Sequence, residues 1–297
     1  MIRIGYVGNN LTLGCTSSST FRLASYSDVR LIQTVASNLE CLQKIQDFNA
    51  ENKIELFRIS SDLIPFASHE VLSFLWQEHF RSDFAKIGQF AEENNMRLTM
   101  HPDQFVILNS QNNALTQKSI LELNYHAEVL DLLGTDSSSK IQIHIGGGYG
   151  DKKASMNRFM ENYKQLPEKI KRRLIIENDD RIFTAKDCLS VSSKTGIPIV
   201  LDYFHQALNN DGEEFIEVLN QAAKTWKPSD GFPMLDYSSQ NINKRRGSHA
   251  ETLDSEDFKI FLEKLTGNFD VTIEIKDKEI SALKANLILK RFKKAAC

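Results

Sequence analysis

RRLIIENDDRIFTAKDCLSVSSKTGIPIVLDYFH, residues 172–205, holds a complete strand–helix–strand unit. The run 173–177 is short, apolar and rich in isoleucine. A polar stretch then leads to Thr184, whose hydroxyl suits a helix N-cap, and a helical pattern follows over 184–195. Gly196 ends that helix, Pro198 cannot continue it, and a second apolar run, 198–202, starts a new strand. Strands with so little polar alternation are buried on both faces, the habit of parallel sheets. Each of the two ends on an acid, Glu177 and then Asp202.

The same unit repeats in both directions. Strands are expected at 2–7, 55–59, 97–101 and 140–145 before it, and at 232–237 and 270–276 after it. Helical patterns fill the intervals at 28–47, 70–94, 114–134, 154–170, 212–226, 255–266 and 277–293. In the first, Val29, Ile32, Val35, Leu39, Leu42 and Ile45 recur at steps of three or four and form one apolar stripe. Ser27-Asp28 and Asp254-Ser255 provide further N-caps, and Gly134 a helix end. Eight strands, each followed by a helix, predict a (β/α)8 TIM barrel, a single domain over 1–297; an open doubly wound sheet usually has fewer strands. The longest polar loops, 14–27 and 238–252, follow strands 1 and 7.

At 297 residues, with 41% hydrophobic and 25% charged residues, the chain has an ordinary globular composition. Cys15, Cys41, Cys188 and Cys297 are far apart in sequence, which excludes a CxxC site and argues against a disulfide framework. No apolar run approaches membrane-spanning length, and MIRIGYVGNN reads as a strand from residue 2, with no room for a signal peptide. A reduced, soluble, cytoplasmic protein is expected. The net charge of −3 is not the basic balance of most nucleic-acid binders, but a local basic rim or bound cations would escape this count.

In a barrel, function gathers at the C-terminal strand ends. Here those ends and their loops carry His69, His101, His144, Glu177, Asp202, His205, Asp236, His249 and Glu274. Any one histidine there could be a satisfied polar residue. Four acids and five histidines converging on one mouth would repel and desolvate badly without cations. Nine donors suit two or three ions, and the absence of thiolate favours manganese, zinc, iron or cobalt. Clustered divalent ions suit phosphodiester hydrolysis. His79 and His126 fall inside helices, where a surface or packing role is expected.

HPDQFVILNS (101–110), NYHAEVLDLLG (124–134), RLIIENDDR (173–181), GIPIVLDYFH (196–205), YSS (237–239), GSHAE (247–251) and EIKDKE (274–279) together resemble the UV damage endonuclease family, as does GYVGNN (5–10). The similarity covers essentially the whole chain. It implies incision of double-stranded DNA immediately 5′ to cyclobutane pyrimidine dimers and 6-4 photoproducts, leaving a 3′-hydroxyl and a 5′-phosphate. It also implies two or three divalent ions, usually described as manganese, with zinc, magnesium or cobalt as alternatives. On this resemblance His101, His144 and Glu177 would hold one ion. Glu177 would bridge to a second, shared with Asp202, Asp236 and Glu274, while His205 and His249 would hold a third. His69 is either a ligand or a contact to the scissile phosphate. Tyr6 and Asn10 match positions that line the lesion pocket, and Gln104 and Phe105 match the pair that wedges into the base stack. A photoproduct stacks poorly and is cheaper to open than sound DNA. The alternative for Phe105 is a core aromatic beneath the loop.

Lys152 and Lys153, after GGGYG (146–150), and Lys244, Arg245 and Arg246, in the strand 7 loop, are candidate phosphate contacts; the alternative is a solvated loop. Two positions depart from the family pattern. Asp236 stands where histidine is more usual. Met234 stands where some members have a lysine that can be carboxylated. Rival readings are an abasic-site endonuclease of the endonuclease IV type and a xylose-isomerase-like sugar isomerase. A wedge loop and an arginine rim would be unnecessary for the latter. A membrane role is not expected, and a monomer is.

Overall fold

The computed structural model describes residues 1–295; Cys297 lies outside the described residues. Eight parallel strands close into a barrel in sequence order. They are β1 (Ile2–Gly8), β2 (Leu56–Ile59), β3 (Arg97–Met100), β4 (Ile141–His144), β5 (Leu174–Glu177), β6 (Ile199–Asp202), β7 (Met234–Tyr237) and β8 (Phe269–Ile273). The helices are α1 (Asp28–Glu51), α2 (Trp76–His79), α3 (Arg81–Glu93), α4 (Asn113–Leu132), α5 (Lys152–Gln165), α6 (Glu168–Lys171), α7 (Ala185–Thr195), α8 (Tyr203–Leu208), α9 (Phe215–Ala223), α10 (Ser255–Glu263) and α11 (Glu279–Ala295). The expected (β/α)8 barrel is the observed fold. Among the described residues no helix is long and apolar enough to cross a membrane.

Local chemistry sets the helix ends. Ser27 caps α1 by accepting from the Arg30 amide, and Asp254 caps α10 by accepting from Glu256 and Asp257. Thr184 and Asp187 form a reciprocal capping box on α7, which ends on Gly196 at φ 75°, a left-handed turn that costs glycine little. Two expected helices are broken. The 70–94 stretch forms only α2 and α3, separated by the non-helical Phe80. The 154–170 stretch splits into α5 and α6 at Leu166, which is extended because proline follows it. Gly88 lets α3 meet the end of α4: a Cβ there would lie 1.7 Å from the Leu133 carbonyl oxygen.

The main core lies between strands and helices, from Ile4 and Leu42 to Phe258 and Leu289. The barrel interior is layered. At its N-terminal end Arg3 and Arg97 both bind the buried Asp270 at 2.6 Å. Ile175, Val200 and Met234 form a separate apolar cluster with Trp226 against it, Met234 in register with Asp270. Met234 is therefore apolar filling of the barrel, as its thioether suggests.

The reduced-cysteine expectation is corrected: Cys15 and Cys41 are joined by a disulfide. Separation in sequence misled. Asn9 binds Ser17 and Ser18, and Asn38 of α1 binds Ser19, so the loop after β1 folds back over the helix and brings the two sulfurs together. Cys188 is buried and free.

Candidate functional site

Strands β3 to β8 deliver the donors to one mouth. His144, Glu177 and Asp202 are the last residues of β4, β5 and β6, Asp236 is the third of β7, and His101 and Glu274 follow β3 and β8 directly. Strand register sets His144 beside Glu177, and Asp202 beside Asp236. Their ligand atoms fall into three overlapping groups, each within 4.8 Å: His101–His144–Glu177, Glu177–Asp202–His205 and Asp202–Asp236–Glu274. Glu177 Oε2 lies 3.3 Å from His101 Nε2 and 3.6 Å from His144 Nε2, while its Oε1 lies 2.9 Å from His205 Nδ1.

Backbone carbonyls orient the imidazoles. His101 Nδ1 donates to the Pro102 oxygen at 2.8 Å, and His249 Nδ1 to the Glu274 oxygen at 2.6 Å, leaving each Nε2 as the donor for an ion. His205 sits on α8, whose N-cap is Asp202: the carboxylate Oδ1 accepts from the His205 amide at 2.6 Å. The other oxygen, Oδ2, is buried with no hydrogen-bond partner, as is His144 Nδ1.

Burial and crowding govern the charges. Burial pushes Asp202 up to about 8, with Glu177, Glu274 and Asp236 adding to the rise and His205 opposing it. Burial likewise takes Asp236 to about 7 against the pull of Arg58. Burial would raise Glu177 too, but His144, His101 and His205 outweigh it and hold the carboxyl well below its ordinary value. Burial lowers His205, but Asp202 and Glu177 more than reverse this and raise it to about 11. Oxygen and imidazole donors, one carboxylate oxygen without a partner, and acids that resist ionisation fit divalent cations of the hard-to-borderline class.

Two interior residues went unread in the sequence. Arg58 of β2 donates through Nη2 to Asp236 at 2.7 Å and to Gln142 at 2.8 Å, and through Nη1 to Glu274. Gln142 of β4 donates to Glu177 at 2.6 Å and to Asp236. Their signal was available: each is a long polar side chain flanked on both sides by apolar residues within its strand.

Several expected positions lie elsewhere. His69 is exposed in the loop after β2, where its Nδ1 accepts from the Val71 amide, and it joins none of the three groups. His249 also stands outside them, its ring 6.3 Å from that of His205. Tyr6 and Asn10 are not at the mouth: Tyr6 is fully buried against α1, donating to Asn49 at 2.8 Å and accepting from Asn10. The reason is the two-residue period of β1: Arg3 points into the barrel, so Tyr6 points out of it. His126 is buried in α4, its Nδ1 donating to the Glu122 carbonyl.

A cavity of about 1120 Å³ opens above the donors, with His144 and His205 in its lining. Gln104 and Phe105 form a turn on its lip, and Phe105 is 79% exposed, so the core reading of this ring is wrong. Of the basic residues, Arg245 lines the cavity. Lys244 pairs with Glu251 at 2.7 Å, and Arg246 donates to the Leu208 carbonyl at 2.6 Å. Lys152 and Lys153 open α5 rather than a loop, and Lys152 is tied to Asp187 at 2.5 Å.

The chain is 38% identical over 296 residues to the UV DNA damage endonuclease of Clostridium perfringens, covering 99% of this chain and 72% of that one. It is 35% identical over 294 residues to the enzyme of the same name from Bacillus thuringiensis subsp. konkukian, covering 95% and 93%. The crystal structure of SacUVDE superposes with a TM-score of 0.95 at 43% identity, over 99% of both chains. A D-psicose 3-epimerase from Clostridium cellulolyticum H10, at 12% identity and a TM-score of 0.55 over 84% of this chain and 92% of that one, shares the barrel fold alone. The family model for UV-endonuclease UvdE matches residues 2–295, and with relatives this similar over nearly the whole of this chain, the chain belongs to the UV-endonuclease UvdE family.

Proposed function

We propose that this barrel hydrolyses the DNA backbone of a duplex immediately 5′ to a UV photoproduct, with two or three divalent ions, manganese foremost, held in the donor cage. Family membership supports the coarser statement, a UV DNA damage endonuclease. One observation supports the finer reading above all: an exposed aromatic wedge, Phe105, stands on the lip of a cavity lined lower down by His144 and His205 of the cage.

In the reaction a water oxygen bonds to phosphorus, the bond from phosphorus to the 3′-oxygen breaks, and a proton ends on that oxygen, giving 3′-hydroxyl and 5′-phosphate. The ions, when bound, would supply Lewis-acid activation of water and charge stabilisation at the phosphate. His101, His144 and Glu177 would hold one. Asp202, Asp236 and Glu274, with Glu177 between the groups, would hold a second. His205 and His249 would complete a third position. Arg245 would meet a backbone phosphate beside the cavity. Gln104 and Phe105 would enter the stack where the lesion weakens it. The enzyme would act as a monomer in the cytoplasm.

Nicking of UV-irradiated against untreated supercoiled plasmid, with manganese and with chelator, tests the reading. Nicks only in irradiated plasmid and only with metal, sealed by ligase without further treatment, are expected. Equal nicking of untreated plasmid, or nicks carrying a 3′-phosphate, would overturn it.

A further inference from the structure

We propose that Arg58 is a built-in cation of the donor cage, a positioning residue that holds Asp236 and Glu274 in ligand geometry whenever the divalent ions are absent or exchanging. The inference rests on the reading of the cage as a metal site.

The cage has two unlike sides. Glu177 is approached by three imidazoles, those of His101, His144 and His205, and Asp202 has His205 at 3.6 Å. On the other side the side chains of Asp236 and Glu274 meet one guanidinium, that of Arg58, which is 5% exposed. Nη1 serves Glu274, while Nη2 serves both Asp236 and the Gln142 amide oxygen. The same Gln142 amide donates to Glu177 and to Asp236. Arg58 and Gln142 thus fasten three of the four acids of the cage, Glu177, Asp236 and Glu274, to one another. Only a planar fork spans two acids and an amide at once; an ammonium is a single point.

A buried carboxylate stripped of its partner is strongly unfavourable, because the charge cannot return to water. Arg58 and a divalent ion would offset the same charges on Asp236 and Glu274. Removing Arg58 should therefore make the folded state lean on metal, whereas a residue that merely fills space would be missed equally with and without it.

Melting temperatures of the wild type, Arg58→Met and Arg58→Lys, each in chelator and in saturating manganese chloride, decide this. In chelator Arg58→Met should melt roughly 6–12 °C below the wild type. Manganese should close at least half of that gap, and Arg58→Lys, which keeps the charge and loses the fork, should fall between the two. A deficit of equal size with and without manganese, or no deficit at all, overturns the proposal while leaving the metal reading intact. If Arg58→Met does not fold, Arg58→Lys carries the same comparison: its deficit must shrink in manganese. A wild type whose melting does not respond to manganese overturns the metal reading, and this inference with it.

Discussion

Truncating Phe105 to alanine separates folding from recognition, because the ring is 79% exposed and lies on the cavity lip. Folding gains little from so exposed a side chain. The variant should lose less than about 0.5 kcal/mol of stability, a melting shift of roughly 1–2 °C at this size. Recognition is another matter. If the ring replaces a displaced base in the stack, its loss removes stacking worth roughly 1–3 kcal/mol. That range corresponds to a roughly 5- to 150-fold weaker Kd. The assay is fluorescence anisotropy with a labelled duplex bearing one cyclobutane thymine dimer, against the same duplex undamaged, in chelator so that no strand is cut. The damaged duplex should lose affinity and the undamaged one should barely change. An equal loss on both duplexes would refute the wedge and leave a general contact. A melting shift of many degrees would refute the premise that the ring stands free of the core.

Glu177→Gln removes the carboxylate shared between two donor groups, so it should retain fewer ions by mass spectrometry and lose incision; full incision would dismiss the cage as the reaction site. His126, fully buried, is held neutral by burial, which lowers it to about 4 from 6.5. The unfolded chain therefore takes up this proton first as pH falls, so the stability is complete above 6.5 and drains away toward 4. By pH 4.5 the loss through His126 should reach roughly 2–3 kcal/mol. Urea unfolding of wild type and His126→Asn at pH 7 and 4.5 should show that difference, and parallel pH slopes would rule it out. Arg245→Ala should lower the log–log salt slope of binding by about 0.9, alike on damaged and intact duplex. A loss confined to damaged DNA would mean that Arg245 reads the lesion.

Those elements whose causes are local could be read from the chain. The strand-and-helix alternation, the Thr184 and Asp254 caps and the Gly196 stop all follow from a few neighbouring residues. Six of the nine expected donors fall in or directly beside the observed strand ends, because a barrel strand this short has few C-terminal positions to offer. What escaped depends on distance through space. Helix α8 is six residues long and begins on the very acid that ends β6, so no hydrophobic period could announce it. The Cys15–Cys41 bond needs the loop after β1 to double back, and no spacing rule reports that. Arg58 and Gln142 went unread because their partners, Asp236, Glu274 and Glu177, lie on other strands. Tyr6 was misassigned for a different reason: a position carried over from a resemblance names a residue, whereas the strand's pleat decides which way it faces.

Asp202 has a division of labour between its two oxygens that invites genetics. Oδ1 accepts from the His205 amide in the first turn of α8, while Oδ2 has no hydrogen-bond partner and lies 3.6 Å from His205 Nδ1. Asparagine caps helices about as well as aspartate and keeps one acceptor oxygen for that amide. It cannot offer a second anionic oxygen to an ion. Asp202→Asn should therefore be a separation-of-function allele. Its product would fold to wild-type stability in chelator, still carry His205 in place and still compete for damaged DNA, yet leave the strand uncut. Expressed beside the normal enzyme it would act as a dominant inhibitor, shielding lesions instead of opening them.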